Sequence, residues 1–220
     1  MNEYKNMRKK SQKQKSELYK PEIEGEKDFY DSINRALKTT KHKYALLEII
    51  QKFEKYKKFM TENIMPTTIP SGKIFVFRFT YQLKKNVWKD IEACGDQSLA
   101  VLAEFVIDEM GWNNDHLDAF FFPEKRKGGV WEWYTTYEIG SDGADNDQFP
   151  ILHTNEVIVS SIDYSKHPKL GFVFDFGDDH RFMMEYKGVR DADKNDKRGA
   201  FPKIIDQRGV APKQYPDYID

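Results

Sequence analysis

The sequence predicts an α+β fold: a mixed or antiparallel sheet with one main packed helix, preceded by a helical N-terminal extension. Three observations predict it. Phe75, Phe77, Phe79, Tyr81 and Leu83 alternate with Arg78, Thr80 and Gln82, the period of a strand with one buried face. Leu99, Leu102, Ala103, Val106 and Met110 form a helical stripe that ends at Gly111. Phe29, Ile33, Ala36 and Leu37, then Tyr44, Leu47, Ile50 and Phe53, form two more helical stripes ahead of the breaker cluster Met65-Pro66 to Pro70-Ser71-Gly72.

In chain order, residues 1–26 are polar and lysine-rich and predict disorder or a frayed helix. Residues 27–62 predict helix, divided at Thr39-Thr40. The division into domains follows the breaker cluster, with a basic extension over residues 1–65 and an α+β domain over residues 66–220. In that domain the first strand turns at Lys84-Lys85-Asn86 and returns as Val87 to Ala93, with Trp88 and Ile91. Asp96 or Ser98 caps the helix of residues 98–110. Trp88 and Trp112 are expected in the core, at the contact between helix and sheet.

Further strands are predicted at Leu117–Phe122 and along Val130–Ile139, where Trp131, Trp133, Thr135, Tyr137 and Ile139 alternate with polar neighbours. Asp142 to Asp147 reads as a solvated acidic loop. Val157–Ile162 fits either a strand or a short helix capped by Thr154. Leu170–Phe176 and Arg181–Lys187 form a hairpin around Gly177-Asp178-Asp179. Residues 188–200 read as a charged loop and Phe201–Arg208 as one short helix. The tail, with Pro212 and Pro216, is expected to dock through Tyr215 and Tyr218. The order strand-strand-helix-strand resembles a β-grasp core.

Charge is distributed unevenly. Residues 1–65 carry 16 Lys and Arg against 10 Asp and Glu, whereas residues 66–220 carry 19 against 26, so a basic arm precedes an acidic body. Two solvated surfaces of opposite sign would look the same in sequence. Aromatic residues make up 15% of the chain, enough for a core despite a mean hydropathy of -0.76. One cysteine, Cys94, excludes an intrachain disulfide and fits a cytoplasmic protein. With no Lys or Arg run beside it, Cys94 reads as a packing residue and not as a nucleophile. No apolar run approaches the ~20 residues of a membrane span.

The motifs exclude more than they assign. Asp175-Phe176-Gly177 matches the magnesium-binding triplet of protein kinases, but the chain has no Gly-rich phosphate loop and no His-Arg-Asp triplet. Walker A, dinucleotide and nucleophile-elbow patterns are absent from the sequence. Asp142, Asp145 and Asp147 have neither the spacing nor the terminal glutamate of a calcium loop. What remains is a set of side chains near two turns: His116, Asp118, Asp175, Asp178, Asp179 and His180. Together they would suit Mn²⁺ or Mg²⁺ better than structural Zn²⁺, which prefers Cys and His. A structural reading of the same residues has Asp175 accepting turn amides, Gly177 supplying a positive φ, Asp178 fixing the loop and His116 capping the turn after Trp112.

The residue pattern resembles the plasmid pRiA4b ORF-three-like family. The resemblance is carried by Trp88, Leu99 and Leu102, Met110-Gly111-Trp112, His116-Leu117, Phe120 and Phe174-Asp175-Phe176-Gly177-Asp178. It continues through Pro202-Lys203-Ile204-Ile205, Gly209, Ala211-Pro212 and Gln214-Tyr215-Pro216-Asp217, and so covers about residues 73–218. Family members typically carry a histidine, a tryptophan and another histidine where this chain has Asp118, His180 and Phe182. A metal site built on family histidines would therefore be altered here.

The resemblance implies a plasmid or insertion-element context. It leads to the expectation of a non-enzymatic binding or accessory protein that contacts nucleic acid or a protein partner. Arg8, Lys9, Lys10 and Lys13 of the basic arm are the candidate nucleic-acid contacts. Trp131, Trp133 and Tyr137 with Lys125, Arg126 and Lys127 offer an alternative base-stacking surface, which the acidic body disfavours. The helices of residues 27–62 are the candidate surface for a protein partner or self-association. The alternative function is a metal-dependent phosphodiesterase-like enzyme using His116, Asp175 and Asp178.

Overall fold

A computed structural model describes residues 17–69, 71–129, 131–135, 137–143 and 148–215. The elements run β1 (Glu17–Tyr19), α1 (Glu26–Thr39), α2 (Lys43–Asn63), β2 (Thr67–Ile69), β3 (Lys73–Tyr81), β4 (Trp88–Cys94), α3 (Leu99–Glu109) and β5 (Asp118–Phe121). They continue with β6 (Glu124–Lys125), β7 (Trp131–Glu132), β8 (Glu138–Gly140), β9 (Leu152–His153), β10 (Lys169–Phe174), β11 (His180–Asp191) and β12 (Lys203–Arg208). The main sheet has eight strands in the order β12-β4-β3-β11-β10-β5-β8-β9, antiparallel except for the β8–β9 pair. It is a mixed sheet, and with the three helices the fold is α+β.

The alternation in β3 works as the sequence predicts. Phe75, Phe77, Phe79 and Tyr81 are buried on one face, and the register carries that face across the sheet. Tyr81 lies opposite Phe182, Phe182 opposite Phe172, Phe172 opposite Phe120 and Phe120 opposite Ile139. All five are buried, so one row of inward side chains spans five strands. Helix α3 covers this face with Leu99, Leu102, Ala103, Val106 and Ile107. Ser98 caps it through Oγ, which accepts from the Val101 N–H, and Gly111 follows it at φ 72°.

The helical extension is present, divided at residues 40–42, and it is joined to the sheet. Phe53, Tyr56 and Met60 of α2 lie in the same core cluster as α3 and β3. The Tyr56 hydroxyl donates to the Glu138 carbonyl at 2.9 Å and accepts from the Leu152 N–H at 2.8 Å. The burial starts later in α2 than the stripe predicts. Tyr44 is 90% exposed and Leu47 45%, because the first three turns of α2 extend past the sheet. Residues 17–19 form a strand paired with β2, not a disordered or helical segment.

Five other expectations change. Phe201–Arg208 is not a helix: residues 203–208 form the edge strand β12 on β4, whose free edge supplies the backbone partners that a helix would supply internally. Val130–Ile139 is not one strand. It pairs at β7 and β8, and between them Trp133 folds onto the sheet where Gly171 leaves room. Residues 188–200 are not all loop, since β11 runs to Asp191 past a bulge between Tyr186 and Gly188. Leu83 lies beyond the end of β3 and is exposed. Trp88 faces away from α3, with the Arg78 guanidinium 3.8 Å above its ring and Asp90 bidentate on Arg78.

The Val157–Ile162 segment resolves as a single 3₁₀ turn, Val159–Ser161. Cys94 is buried against Ile74 and Phe201, and burial pushes its thiol up. Among the described residues no helix is long and apolar enough to cross a membrane.

Candidate functional site

The six residues singled out by sequence lie at one end of the sheet, where the register decides their neighbours. Phe174, the last residue of β10, lies between Asp118 of β5 and His180 of β11. The turn that follows brings Asp175 back over the Leu117 carbonyl, to which its N–H donates at 3.0 Å. The two sequence motifs therefore meet: His116 Nε2 lies 3.4 Å from Asp175 Oδ2.

Asp175 is also the organiser of the turn. Its Oδ1 accepts from the Gly177 N–H at 2.9 Å and the Asp178 N–H at 3.2 Å, and the Asp179 N–H donates to its carbonyl at 2.7 Å. The positive φ expected of Gly177 is taken instead by Asp175 (55°) and Asp179 (56°). An aspartate tolerates this region because its short carboxylate bonds the local backbone. Asp178 offers its backbone to this arrangement, with its side chain half-buried at the rim.

Asp179 points elsewhere. Its carboxylate accepts from Arg181 and from the Tyr134 hydroxyl, and the Arg181 guanidinium lies 4.9 Å from the Tyr134 ring. Burial pushes the Asp179 carboxyl up, but the Arg181 and Tyr134 bonds outweigh it and leave it below the usual range. The Tyr134 phenol, buried and beside Asp179, is pushed up to about 12.

His180 is buried and bonded at both ring nitrogens. Its Nε2 lies 3.0 Å from the Gln214 carbonyl, which can only accept, so Nε2 carries a proton. Nδ1 lies 3.1 Å from the Tyr81 hydroxyl, and Trp112 packs on the imidazole with centroids 4.3 Å apart. Asp118 is separate from this network. Burial alone pushes its carboxyl up to about 7, and its Oδ1 meets no hydrogen-bond donor.

Four residues outside the predicted set complete the site: Tyr81, Asp115, Gln214 and Tyr215. Gln214 is buried; its side chain accepts from the Asn113 N–H at 2.7 Å and donates to the Asn113 carbonyl at 3.0 Å and to Asp115 at 3.1 Å. The Tyr215 hydroxyl donates to Asp115 and lies 3.0 Å from His116 Nε2. That bond, not a helix–strand cap, holds His116. The tail therefore docks through Gln214, with Tyr215 partly exposed above it, and Trp112 Nε1 adds a bond to the Pro212 carbonyl at 2.9 Å. Tyr218 lies outside the described residues. The signal for Gln214 was a lone amide in a proline- and tyrosine-rich tail, whereas Tyr81 reads only as the last inward residue of its strand. Nothing in the sequence marks Asp115.

Arg8, Lys9, Lys10 and Lys13 lie outside the described residues, as do Asp145 and Asp147 of the acidic loop. Lys125 sits near Trp131, 6.0 Å from its ring, but Arg126 is taken by Glu132 and Trp133 faces Gly171. The aromatic residues of that segment thus do not form one continuous platform.

A family model described as plasmid pRiA4b ORF-3-like protein matches residues 75–215. The chain belongs to the plasmid pRiA4b ORF-3-like family. The match spans β3 to the docked tail and includes every residue of the His116–Asp175–Gln214 network. The fold of this pRiA4b ORF-3-like protein is similar to the crystal structure of a protein of unknown function, MM3350, from Methanosarcina mazei Go1. The TM-score is 0.50 at 15% identity, over 64% of this chain and 71% of that one. No curated protein matches the chain. The family match begins at Phe75, so helices α1 and α2 of this pRiA4b ORF-3-like protein lie ahead of it.

Proposed function

We propose that this protein is a cytoplasmic, non-enzymatic binding or accessory protein of its plasmid-associated family. In this reading it contacts nucleic acid through the basic N-terminal region, and the acidic sheet domain is the scaffold. The observation that carries the reading is that Asp175, Asp179 and His180 are engaged with their own fold. Asp175 Oδ1 holds two turn amides, His180 is bonded at both nitrogens, and Asp179 is held by Arg181 and Tyr134. Groups held this way fix a turn and fasten a tail. A general base, by contrast, needs a lone pair within reach of a substrate proton. The division of charge supports the same reading, because phosphate is attracted by residues 1–65 and repelled by the rest.

The test is a gel-shift and anisotropy titration of the full chain with labelled single and double strands at low salt. Binding that weakens as salt rises, and that falls when Arg8, Lys9, Lys10 and Lys13 are changed to Gln, is the expected result. No binding at low salt removes the proposal.

A second reading has one observation in its favour, the meeting of His116 and Asp175. A metal-dependent phosphodiesterase-like enzyme would use them with Asp178 around Mn²⁺ or Mg²⁺. The fit is incomplete. Asp175 Oδ2 is the atom on offer, since His116 Nε2 bonds the Tyr215 hydroxyl that itself donates to Asp115, and among the described residues no group of three or more His, Cys, Asp and Glu is placed to hold an ion.

The thermal midpoint of the metal-stripped chain with and without Mn²⁺, Mg²⁺ and Zn²⁺ decides the matter. A bound ion at about 100 times its dissociation constant adds roughly 2.7 kcal/mol. A selective shift lost in Asp175→Asn, with metal-dependent phosphodiester turnover lost alongside it, would establish the enzyme. No shift with any of the three ions would reject the metal site.

A further inference from the structure

Among the described residues, positive charge concentrates on the α1–α2 hairpin. The hairpin, residues 26–63, carries nine Lys and Arg against six Asp and Glu, and the excess lies toward its tip, where residues 35–55 carry six Lys and Arg against two Glu. The hairpin is antiparallel: Glu26 near the start of α1 pairs with Lys57 at 2.6 Å, and Tyr30, one turn later, bonds Glu54, one turn earlier. Ring contacts of Phe29 and Tyr30 with Phe53 close its base against the core. Beyond them, no residue from Lys43 to Lys52 is buried; Lys52 bonds Gln148 of the sheet domain at 3.2 Å, and past it the tip, with Lys38, Lys41, His42, Lys43 and Tyr44, is exposed.

The charge at the tip is not neutralised locally. Both glutamates are engaged, Glu48 with Lys52 at 3.2 Å and Glu54 with Tyr30. Lys38, Lys41, Lys43 and Lys55 are exposed and form no ion pair among the described residues. Between Lys43 and Lys55, on the outward side of α2, stands Tyr44, the most exposed of the large hydrophobic side chains in the described residues at 90%. A phenol ring left in water beside unpaired cations suits a single strand, because a base can stack on its face while the ammonium groups meet the flanking phosphates. Bilayer insertion would need a broad apolar stripe, and the same side of α2 carries Glu48, Gln51 and Lys52.

We infer that the tip and the outward side of the α1–α2 hairpin form a contact surface for single-stranded nucleic acid, with Tyr44 as the stacking residue, Lys38, Lys41 and Lys43 as phosphate contacts at the tip, and Lys55, about three turns further along the same side of α2, as a fourth. The inference rests on the nucleic-acid reading above and adds a surface to it, separate from Arg8, Lys9, Lys10 and Lys13.

The experiment uses the full chain, a labelled single strand of about 20 nucleotides and its duplex, and anisotropy titrations across salt. Three variants are compared with the parent: Lys38→Gln/Lys41→Gln/Lys43→Gln/Lys55→Gln, Tyr44→Ala, and the arm variant with Arg8, Lys9, Lys10 and Lys13 changed to Gln. All the substituted hairpin side chains are exposed, so circular dichroism and the thermal midpoint should match the parent. The hairpin variant is expected to weaken single-strand binding tenfold or more. It should also reduce the log–log salt slope by about 3, since each phosphate contact on a single strand contributes roughly 0.7. Tyr44→Ala is expected to weaken the single strand by about tenfold and the duplex much less.

Hairpin variants that bind within twofold of the parent, while the arm variant loses binding, overturn the hairpin surface and leave the nucleic-acid reading standing. A parent chain that binds neither strand nor duplex overturns both. Equal effects of Tyr44→Ala on strand and duplex overturn the stacking assignment. A concentration-dependent dimer in light scattering that Tyr44→Ala dissolves would assign the face to a second copy and overturn the inference.

Discussion

His180 Nε2 donates to the backbone carbonyl of Gln214 at 3.0 Å, so an imidazole rooted in β11 fastens the C-terminal tail to the sheet. Tyr81 supports the same ring from the other side. His180→Phe keeps the stacking on Trp112 and removes both bonds, leaving a buried carbonyl and hydroxyl without partners. The expected cost is about 2 kcal/mol, measured by urea unfolding, with faster proteolysis of the tail beyond Pro212. A variant as stable as the parent, with an equally protected tail, would show that the latch carries no load.

Asp118 makes the fold pH-sensitive in a direction opposite to most carboxylates. Its carboxyl is raised from 3.8 to about 7 by burial. The folded chain therefore holds the proton over a range where the unfolded chain has released it. Stability from this group is fully present below about pH 4, falls as pH rises, and levels off above about pH 7, a total of about 4 kcal/mol. Asp118→Asn should flatten that slope and be more stable than the parent at pH 8. Urea unfolding at pH 5 and pH 8 reads it, and equal slopes for the two proteins would contradict the burial.

The contact of α2 with the sheet divides the helix into two halves of different worth. Phe53 is buried in the core and Leu47, two turns earlier, is largely in water. Phe53→Ala should cost about 3–5 kcal/mol, and Leu47→Ala within about 0.5 kcal/mol. Chemical denaturation measures both. Similar costs at the two sites would mean that α2 does not dock as described.

Gly171 is where Trp133 rests on the outer face of the sheet. A Cβ there would lie 2.7 Å from Trp133 Cε3. Gly171→Ala should destabilise by about 1–3 kcal/mol and change tryptophan fluorescence. In a Trp133→Ala background the same substitution should cost much less. A double-mutant cycle with no coupling would place Trp133 elsewhere.

Local pattern was enough for the elements that carry their own periodicity. The alternation of Phe75, Phe77, Phe79 and Tyr81 demands a strand with one buried face, because successive side chains of a strand point to opposite sides. The stripe from Leu99 to Met110, started by Ser98 and stopped by Gly111, demands a helix against that face. The hairpin around Gly177 was legible for the same reason: its residues are close in sequence.

Pairing partners decided the rest. Phe201–Arg208 has apolar spacing compatible with a helix and became a strand because the open edge of β4 was there to receive it. Trp88 faces outward because the register sets it opposite Thr80, not Phe79. Asp118 is buried and His116 meets Asp175 because β5 pairs with β10 so that Asp118 lies opposite Phe174. A shift of one residue would turn each of these side chains to the other face. The sequence by itself therefore determined the period and buried face of β3 and α3, which arise from local sterics and burial. Which faces and turns came together was decided only by the tertiary structure, because register is settled between strands far apart in the chain.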